Sequence, residues 1–161
     1  MKLAILGCLH GNEKVGEKII DYLKGIPQLA NSIFFILGNE NAMKENRRFI
    51  DVDLNRCFPG KETGNYEEER AFEISKKIKD FDILLDIHST TAKTEDFIIT
   101  TNLDKTRNLI GNIPLRKVVI VNEKLSKNKS LIENHENAVS LEFDENTDFE
   151  YVKNIILQTL V

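Results

Sequence analysis

The sequence predicts an α/β fold with three α/β/α layers around a mostly parallel or mixed central sheet. Short apolar segments, typical of buried strands, alternate with segments of helical periodicity. The chain has 161 residues, the size of one domain, so we expect residues 1–161 to form a single domain. Its composition, 41% hydrophobic and 30% charged, is typical of a globular protein and excludes a disordered one.

The N-terminal part of the chain predicts two strands, two helices and a long loop. Residues SIFFIL and the apolar start of the chain are short runs that end at glycine, as buried strands do, while two other segments have the apolar stripe of a helix. Gly25 and Pro27 end the first of these helices. A loop as long as the one predicted here is either functional or disordered. In order, the elements are a strand over residues 2–8, a helix over 15–24, a strand over 32–37, the loop over 39–64 and a helix over 66–79.

The C-terminal part predicts four more strands and two more helices. Runs such as FDILLDI, KVVIV and AVSLEF are apolar, and one further segment is rich in β-branched side chains. In order, the elements are strands over 81–87 and 96–101, a helix over 104–110, strands over 117–121 and 138–143, and a closing helix over 148–160. The polar segment 122–137 is not assigned to either class.

Charge and composition exclude several classes of function. Lys and Arg total 22 against 26 Asp and Glu, a formal net charge of −4, so we expect no nucleic acid and no membrane surface as a partner. No apolar run has the roughly 20 residues of a membrane span, and the apolar start is shorter than the roughly 7 to 15 residues of a signal peptide core. Cys8 and Cys57 do not make a disulfide framework. We therefore expect a cytoplasmic protein.

Four ionisable residues lie at or just beyond the ends of predicted strands. His10 and Glu13 follow the first strand, His88 follows the third, and Glu142 lies at the end of the sixth. Because the carboxyl ends of neighbouring parallel strands meet at one edge of the sheet, these side chains can converge. Two imidazoles and one carboxylate form a three-ligand set for catalytic zinc, and a second carboxylate could take a proton from water.

Each of these features also has a structural explanation. A single histidine after an apolar strand, such as His88, is more often a hydrogen-bonded structural residue, and His-x-x-Glu occurs often by chance. Gly7, Gly11 and Gly16 follow the first strand but fit neither of the glycine patterns of nucleotide-binding loops.

The long loop contains a candidate receptor for a carboxylate. Arg48 lies seven residues before the pair Asn55 and Arg56. A guanidinium group and an amide can bind a carboxylate together, and a second guanidinium near a metal can hold an oxyanion. Arginines in loops are more often simply solvated.

Four sequence blocks occur in an order that resembles a known family. They are HGNE (10–13), RFIDVDLNRCFPG (48–60), DIHST (86–90) and SLEF (140–143). Together they resemble the succinylglutamate desuccinylase/aspartoacylase family, a branch of the zinc carboxypeptidase superfamily, from about residue 3 to residue 145. The resemblance implies a zinc-carboxypeptidase-like fold.

The resemblance also implies a role for each matching residue. By position, His10, Glu13 and His88 hold one Zn²⁺ per chain, Arg48 polarises the scissile carbonyl, Asn55 and Arg56 bind the substrate carboxylate, and Glu142 is the catalytic base and then acid. Asp86 either orients a zinc ligand or is simply an acid at a strand end.

The implied activity is zinc-dependent hydrolysis of the amide bond of an N-acyl amino acid or similar small amide. Two alternatives stay open: a zinc carboxypeptidase acting on peptides, and a non-catalytic module that binds a metal or a carboxylate. Family members with known substrates carry a C-terminal β-rich domain, so we expect this chain to be a short member without it. A homo-oligomer in which a second subunit supplies the missing wall is one consequence.

Overall fold

The computed structural model describes residues 2–121 and 126–160. Within them the strands are β1 (Leu3–Gly7), β2 (Ile33–Leu37), β3 (Ile83–Thr90), β4 (Phe97–Thr100), β5 (Lys117–Ile120) and β6 (Ala138–Asp144). The helices are α1 (Val15–Lys24), α2 (Pro27–Ala30), α3 (Glu40–Lys44), α4 (Tyr66–Ile78), α5 (Leu103–Asn112) and α6 (Phe149–Thr159), with a 3₁₀ turn over Leu54–Arg56.

The six strands form one mixed sheet in the order β2-β1-β3-β6-β4-β5. The neighbours β2, β1, β3 and β6 run parallel, so their carboxyl ends lie along one edge. Strand β4 runs antiparallel to β6, and β5 pairs with β4 in parallel. The predicted mostly parallel or mixed sheet is confirmed.

Alternation along the strands gives the sheet two different faces. On one face, residues such as Ile5, Leu85 and Leu141 pack in one apolar cluster with residues of α1 and α6. On the other face, residues such as Leu6 and Leu84 share a second cluster with residues of α4. Burying each large aliphatic side chain contributes about 1.5–3 kcal/mol. The result is three layers, with helices on both sides of the sheet, as predicted.

The loop predicted over 39–64 is more structured than expected. It contains α3 and the 3₁₀ turn, which are too short to show a periodic pattern. Helix α3 begins at an N-cap that can be read in the sequence, because the side chain of Asn39 accepts a hydrogen bond from the Ala42 amide. Pro27, predicted only to end a helix, starts the short helix α2 as its first residue.

Two expectations remain, one on the unassigned segment 122–137 and one on membrane-spanning helices. Residues 122–125 of the unassigned segment lie outside the described residues, and 126–137 contain neither helix nor strand. Among the residues that the structure describes, no helix is both long and apolar enough to cross a membrane.

Helix α1 packs closely against the end of β1 because both elements carry glycine at the contact. A Cβ atom added to Gly16 would lie 2.6 Å from the Cα of Gly7, closer than real side chains approach. This contact holds the start of α1 against the strand end, and the segment between them carries His10 and Glu13.

We expect Gly16→Ala to lower the free energy of unfolding by about 1–3 kcal/mol, because the added methyl group must displace backbone. Gly111→Ala is the matched control, since Gly111 is also helical but an added Cβ there would meet no described atom within 4 Å apart from its own helix backbone. Alanine there should raise the free energy of unfolding by up to about 1 kcal/mol. Denaturant unfolding measures both, and equal effects in the two variants would contradict the packing argument.

Candidate active site

The register between β3 and β6 places four polar side chains on one face of the sheet. His88 is paired with Glu142, and Asp86 with Ser140, across these parallel strands. Their neighbours in sequence, Ile87 among them, point into the apolar cluster on the opposite face. The sequence predicted His88 one residue beyond the third strand. It lies inside β3, because pairing with β6 continues to Thr90.

The turn after β1 carries His10 and Glu13, the two predicted zinc ligands that do not lie on the sheet. Cys8 has a φ of 59°, in the left-handed region, and its thiol donates to the carbonyl oxygen of Glu13. The amide of Glu13 donates to the carbonyl oxygen of His10, which closes the turn. A Cβ atom at Gly11 would lie 2.2 Å from the backbone of Ala42, so only glycine fits between the turn and α3.

Glu13 lies between two imidazole rings. Its Oε1 is 2.6 Å from His10 Nδ1, and its Oε2 is 2.9 Å from His88 Nδ1. All three side chains are buried, and one possible ligand atom from each lies within 4.8 Å of the others. Two imidazole nitrogens and a carboxylate oxygen are the donors that zinc prefers, so the residues present fit a zinc ion.

Each imidazole uses its other nitrogen to contact a second carboxylate. His10 Nε2 is 3.0 Å from Asp53 Oδ1, and His88 Nε2 is 2.7 Å from Asp86 Oδ2. Carboxylates in this position fix the orientation and tautomer of metal-binding histidines. Asp86 therefore contacts a candidate ligand directly, as the first of its two predicted roles requires. Its Oδ2 also accepts a hydrogen bond from the Ser140 hydroxyl, while its buried Oδ1 has no partner among the described residues.

The ionisation of the cluster follows from these contacts. Burial opposes the charge on Glu13, yet hydrogen bonds with both imidazoles hold the pKa of its carboxyl well below the usual range. Burial likewise disfavours protonated imidazoles, but Asp53 and Glu13 raise the pKa of His10, and Asp86 and Glu13 raise the pKa of His88. Burial raises the pKa of Glu142.

The long loop brings Arg48 and Arg56, both predicted to contact substrate, to the cavity that Glu13 lines. Arg48 is half-exposed and donates to Glu13 Oε1 at 3.4 Å and to Asp53 Oδ2 at 3.1 Å. The side-chain oxygen of Asn55 accepts from the Leu131 amide at 2.9 Å, and Arg56 donates to the Asn55 carbonyl oxygen. The loop is therefore tied both to the cluster and to the segment that precedes β6.

All seven predicted site residues line one cavity of about 330 Å³. They are His10, Glu13, Arg48, Asn55, Arg56, His88 and Glu142. The sequence did not predict a site role for Asp53 or for the apolar wall. Asp53 lies inside the DLNR block, and that block was a signal that could have found it. The wall, formed by Ile99, Val121 and Ile132, comes from separate segments with no shared motif.

Comparison with protein families gives a match over most of the chain. Residues 1–144 match the succinylglutamate desuccinylase/aspartoacylase catalytic domain. A probable aspartoacylase from Trichodesmium erythraeum is 36% identical over 115 residues, which cover 63% of this chain and 39% of that protein. An N-acyl-aromatic-L-amino acid amidohydrolase from Danio rerio is 31% identical over 109 residues, covering 56% of this chain and 35% of that one.

Solved structures share the fold over nearly the whole chain. An aspartoacylase family protein from Mesorhizobium loti superposes with a TM-score of 0.83 at 21% identity, over 99% of this chain and 56% of that one. Murine aminoacylase 3 gives a TM-score of 0.80 at 23% identity, over 99% of this chain and 63% of that one. The chain thus spans only part of the length of these proteins, and it belongs to the succinylglutamate desuccinylase/aspartoacylase family.

We expect zinc binding to strengthen as the pH rises above 6.5, the ordinary pKa of both histidines. Without metal, the raised pKa values keep protons on the imidazoles, and a binding zinc ion would have to displace them. For the same reason, the contribution of these protonated pairs to stability is complete below pH 6.5 and is lost as the pH rises through the raised values.

Competition titration with a chelator of known pH dependence, between pH 6 and 8, measures this effect. A zinc dissociation constant that stays the same over this range would contradict proton displacement. The difference in melting temperature between zinc-loaded and metal-free protein should grow over the same range.

Proposed function

We propose that this member of the succinylglutamate desuccinylase/aspartoacylase family is a zinc-dependent hydrolase that cleaves the amide bond of an N-acyl amino acid. The observation that carries the proposal is the cluster of His10, Glu13 and His88 in the same cavity as Glu142. The names of the related proteins support a hydrolase acting on acylated amino acids. A module that only binds metal has no need of Glu142 or Arg48 in this cavity.

A bound zinc ion supplies a Lewis acid and lowers the pKa of water toward neutrality. Glu142 lies next to His88 on the same sheet face and takes the proton of the attacking water. Because burial raises its pKa, Glu142 is a stronger base than an exposed carboxylate, and it then transfers this proton to the nitrogen of the amide. The water oxygen bonds to the carbonyl carbon, and the carbon–nitrogen bond then breaks. The acyl group is released as a carboxylate and the amino acid as an amine.

Arg48 stabilises the negative charge that develops on the carbonyl oxygen. Its guanidinium group already lies beside Glu13, at the centre of the cluster, and half of the side chain faces solvent. A donor in such a position is worth about 100- to 1,000-fold in rate.

Asn55 and Arg56 bind the carboxylate of the substrate. The Asn55 oxygen accepts from the Leu131 amide, which leaves the Nδ2 group as a donor for a substrate oxygen. Arg56 is exposed and has a second guanidinium nitrogen beyond the one that donates to the Asn55 carbonyl oxygen. Together they can grip a carboxylate from two sides. The apolar wall of Ile99, Val121 and Ile132 then faces the uncharged part of the substrate.

We expect Glu142→Gln to lower kcat by at least about 100-fold while the zinc content stays unchanged, because the amide cannot accept the proton of water. Release of amine from a panel of N-acyl amino acids measures turnover, and elemental analysis measures zinc. Glu136→Gln is the control, since Glu136 is an exposed carboxylate paired with Lys105 outside the cavity. A Glu142→Gln variant with normal turnover would remove Glu142 from the proposed mechanism.

Arg56→Ala should mainly raise KM for substrates with a free carboxylate, by about 10-fold or more, with a smaller effect on kcat. The reason is that Arg56 is proposed to bind the carboxylate away from the reacting bond. Comparing an N-acyl amino acid with its carboxamide isolates this contact, because the variant should lose the preference for the acid. The exposed Arg107 provides the matched control, Arg107→Ala. An effect confined to kcat would place Arg56 at the reacting carbonyl instead.

A further inference from the structure

Glu67 is a buried carboxylate that the proposed mechanism does not use. It is the second residue of α4, it is fully buried, and it does not line the cavity. Its Oε1 accepts hydrogen bonds from the Ile50 amide at 2.7 Å and from Asn39 Nδ2 at 2.9 Å. Its Oε2 accepts from the amides of Asp51 at 3.0 Å and Val52 at 3.3 Å. Four donors therefore converge on one side chain.

These bonds keep Glu67 ionised. Burial opposes the charge, yet the Ile50 amide, Asn39 and the next two loop amides hold the pKa of the Glu67 carboxyl below its ordinary value. Hydrogen bonds from N–H groups to a charged carboxylate are about twice as strong as those to a neutral acceptor. The loop is thus held by a full negative charge and not by an uncharged contact.

The three loop amides lie between two residues of the proposed active site. Arg48 is two residues before Ile50, and Asp53 directly follows Val52. Asp53 in turn contacts His10 and caps the 3₁₀ turn that carries Asn55 and Arg56. Holding residues 50–52 therefore also holds the backbone just before and just after them. That backbone carries Arg48, Asn55 and Arg56, the loop residues proposed to contact substrate.

Asn39 connects the same carboxylate to the end of β1. The Asn39 amide donates to the Cys8 carbonyl oxygen at 2.8 Å, and its side chain donates to Glu67. The Gly11 amide donates to the Arg48 carbonyl oxygen at 3.1 Å, so a second contact ties the loop to the turn that carries His10. Asn39 and Glu67 are both fully buried.

Helix α4, which carries Glu67, is held by a capping box at its start and by apolar packing on the sheet. The helix begins with a capping box, in which Asn65 and Glu68 each bond to the backbone of the other. Three of its side chains, Ala71, Ile74 and Ile78, are buried in the apolar cluster on the sheet. A carboxylate in the first turn is also favoured by the helix dipole.

We propose that Glu67 is a positioning residue, whose carboxylate holds the 50–52 backbone so that Arg48, Asn55 and Arg56 meet the substrate in a fixed arrangement. The proposal rests on the proposed function, since it is there that these three side chains act on substrate. Glu67 itself touches no reacting atom. It acts through the loop, because small misplacements of substrate-binding groups can lower rates by about 100-fold.

The test is Glu67→Gln, which keeps the shape of the side chain but turns an N–H group toward backbone N–H donors. We expect KM to rise about 10-fold and kcat to fall about 10- to 100-fold, with zinc content unchanged. Hydrogen exchange should become faster at the amides of residues 50–52 and stay unchanged in the sheet. Glu67→Asp, which keeps the charge but is one methylene shorter, should recover part of kcat/KM.

Glu73→Gln is the matched control. Glu73 lies on the same helix, its side chain is 58% exposed, and it pairs with Arg70 instead of the loop. This variant should leave KM, kcat and exchange at residues 50–52 unchanged. Melting temperatures recorded for all variants show the temperature range in which each is folded, and kinetics are measured inside it.

A purely structural role predicts a different result. Glu67→Gln would then melt at a lower temperature with KM, kcat and exchange at residues 50–52 as in the wild type, and that result would overturn the proposal. If Glu67→Gln does not fold, the same measurements are made on Glu67→Asp. A raised KM together with faster exchange at residues 50–52 then supports the proposal, and wild-type values of both overturn it. If the wild type hydrolyses no N-acyl amino acid, the proposed function fails, while exchange at residues 50–52 still shows whether Glu67 holds the loop.

Discussion

Glu13 joins two parts of the chain that are far apart in sequence. Its carboxylate contacts His10 three residues earlier, and it contacts His88 together with the Ser89 amide at the end of β3. A carboxylate buried in this way costs several kcal/mol unless its charge is compensated. Without metal, protonated imidazoles compensate it, and a bound divalent cation would compensate it in place of those protons. Arg48 contacts the same carboxylate. The positions of His10, His88 and Arg48 in the cavity therefore all depend on Glu13.

Two further constraints hold the groups around the bridge. The period of two along β3 and β6 sends apolar side chains to the α1 and α6 layer and leaves Asp86, His88 and Glu142 on the opposite face. The loop that supplies Arg48 has no such period and depends on hydrogen bonds, chiefly those to Glu67. A site half on strands and half on a loop therefore needs a separate anchor for the loop.

Much of this arrangement could be predicted from the sequence, since it follows from local patterns. Apolar runs located the strands to within about two or three residues, and the positions of His10, His88 and Glu142 at strand ends predicted their convergence. The DLNR block could have singled out Asp53 but not its partner His10. The contacts of His10 with Asp53 and of Glu67 with the loop could not be predicted, because they join segments with no fixed spacing. Helix α3 was missed because five residues are too few for a periodic pattern.

The zinc content of the purified protein decides whether His10, Glu13 and His88 form a metal site. Protein prepared without chelator should contain about one zinc per chain by elemental analysis, and His88→Ala should contain less than about a tenth of that while still folded. Zinc bound equally well by His88→Ala would contradict the ligand set. A wild-type chain that takes up no zinc when it is offered would contradict the account as a whole.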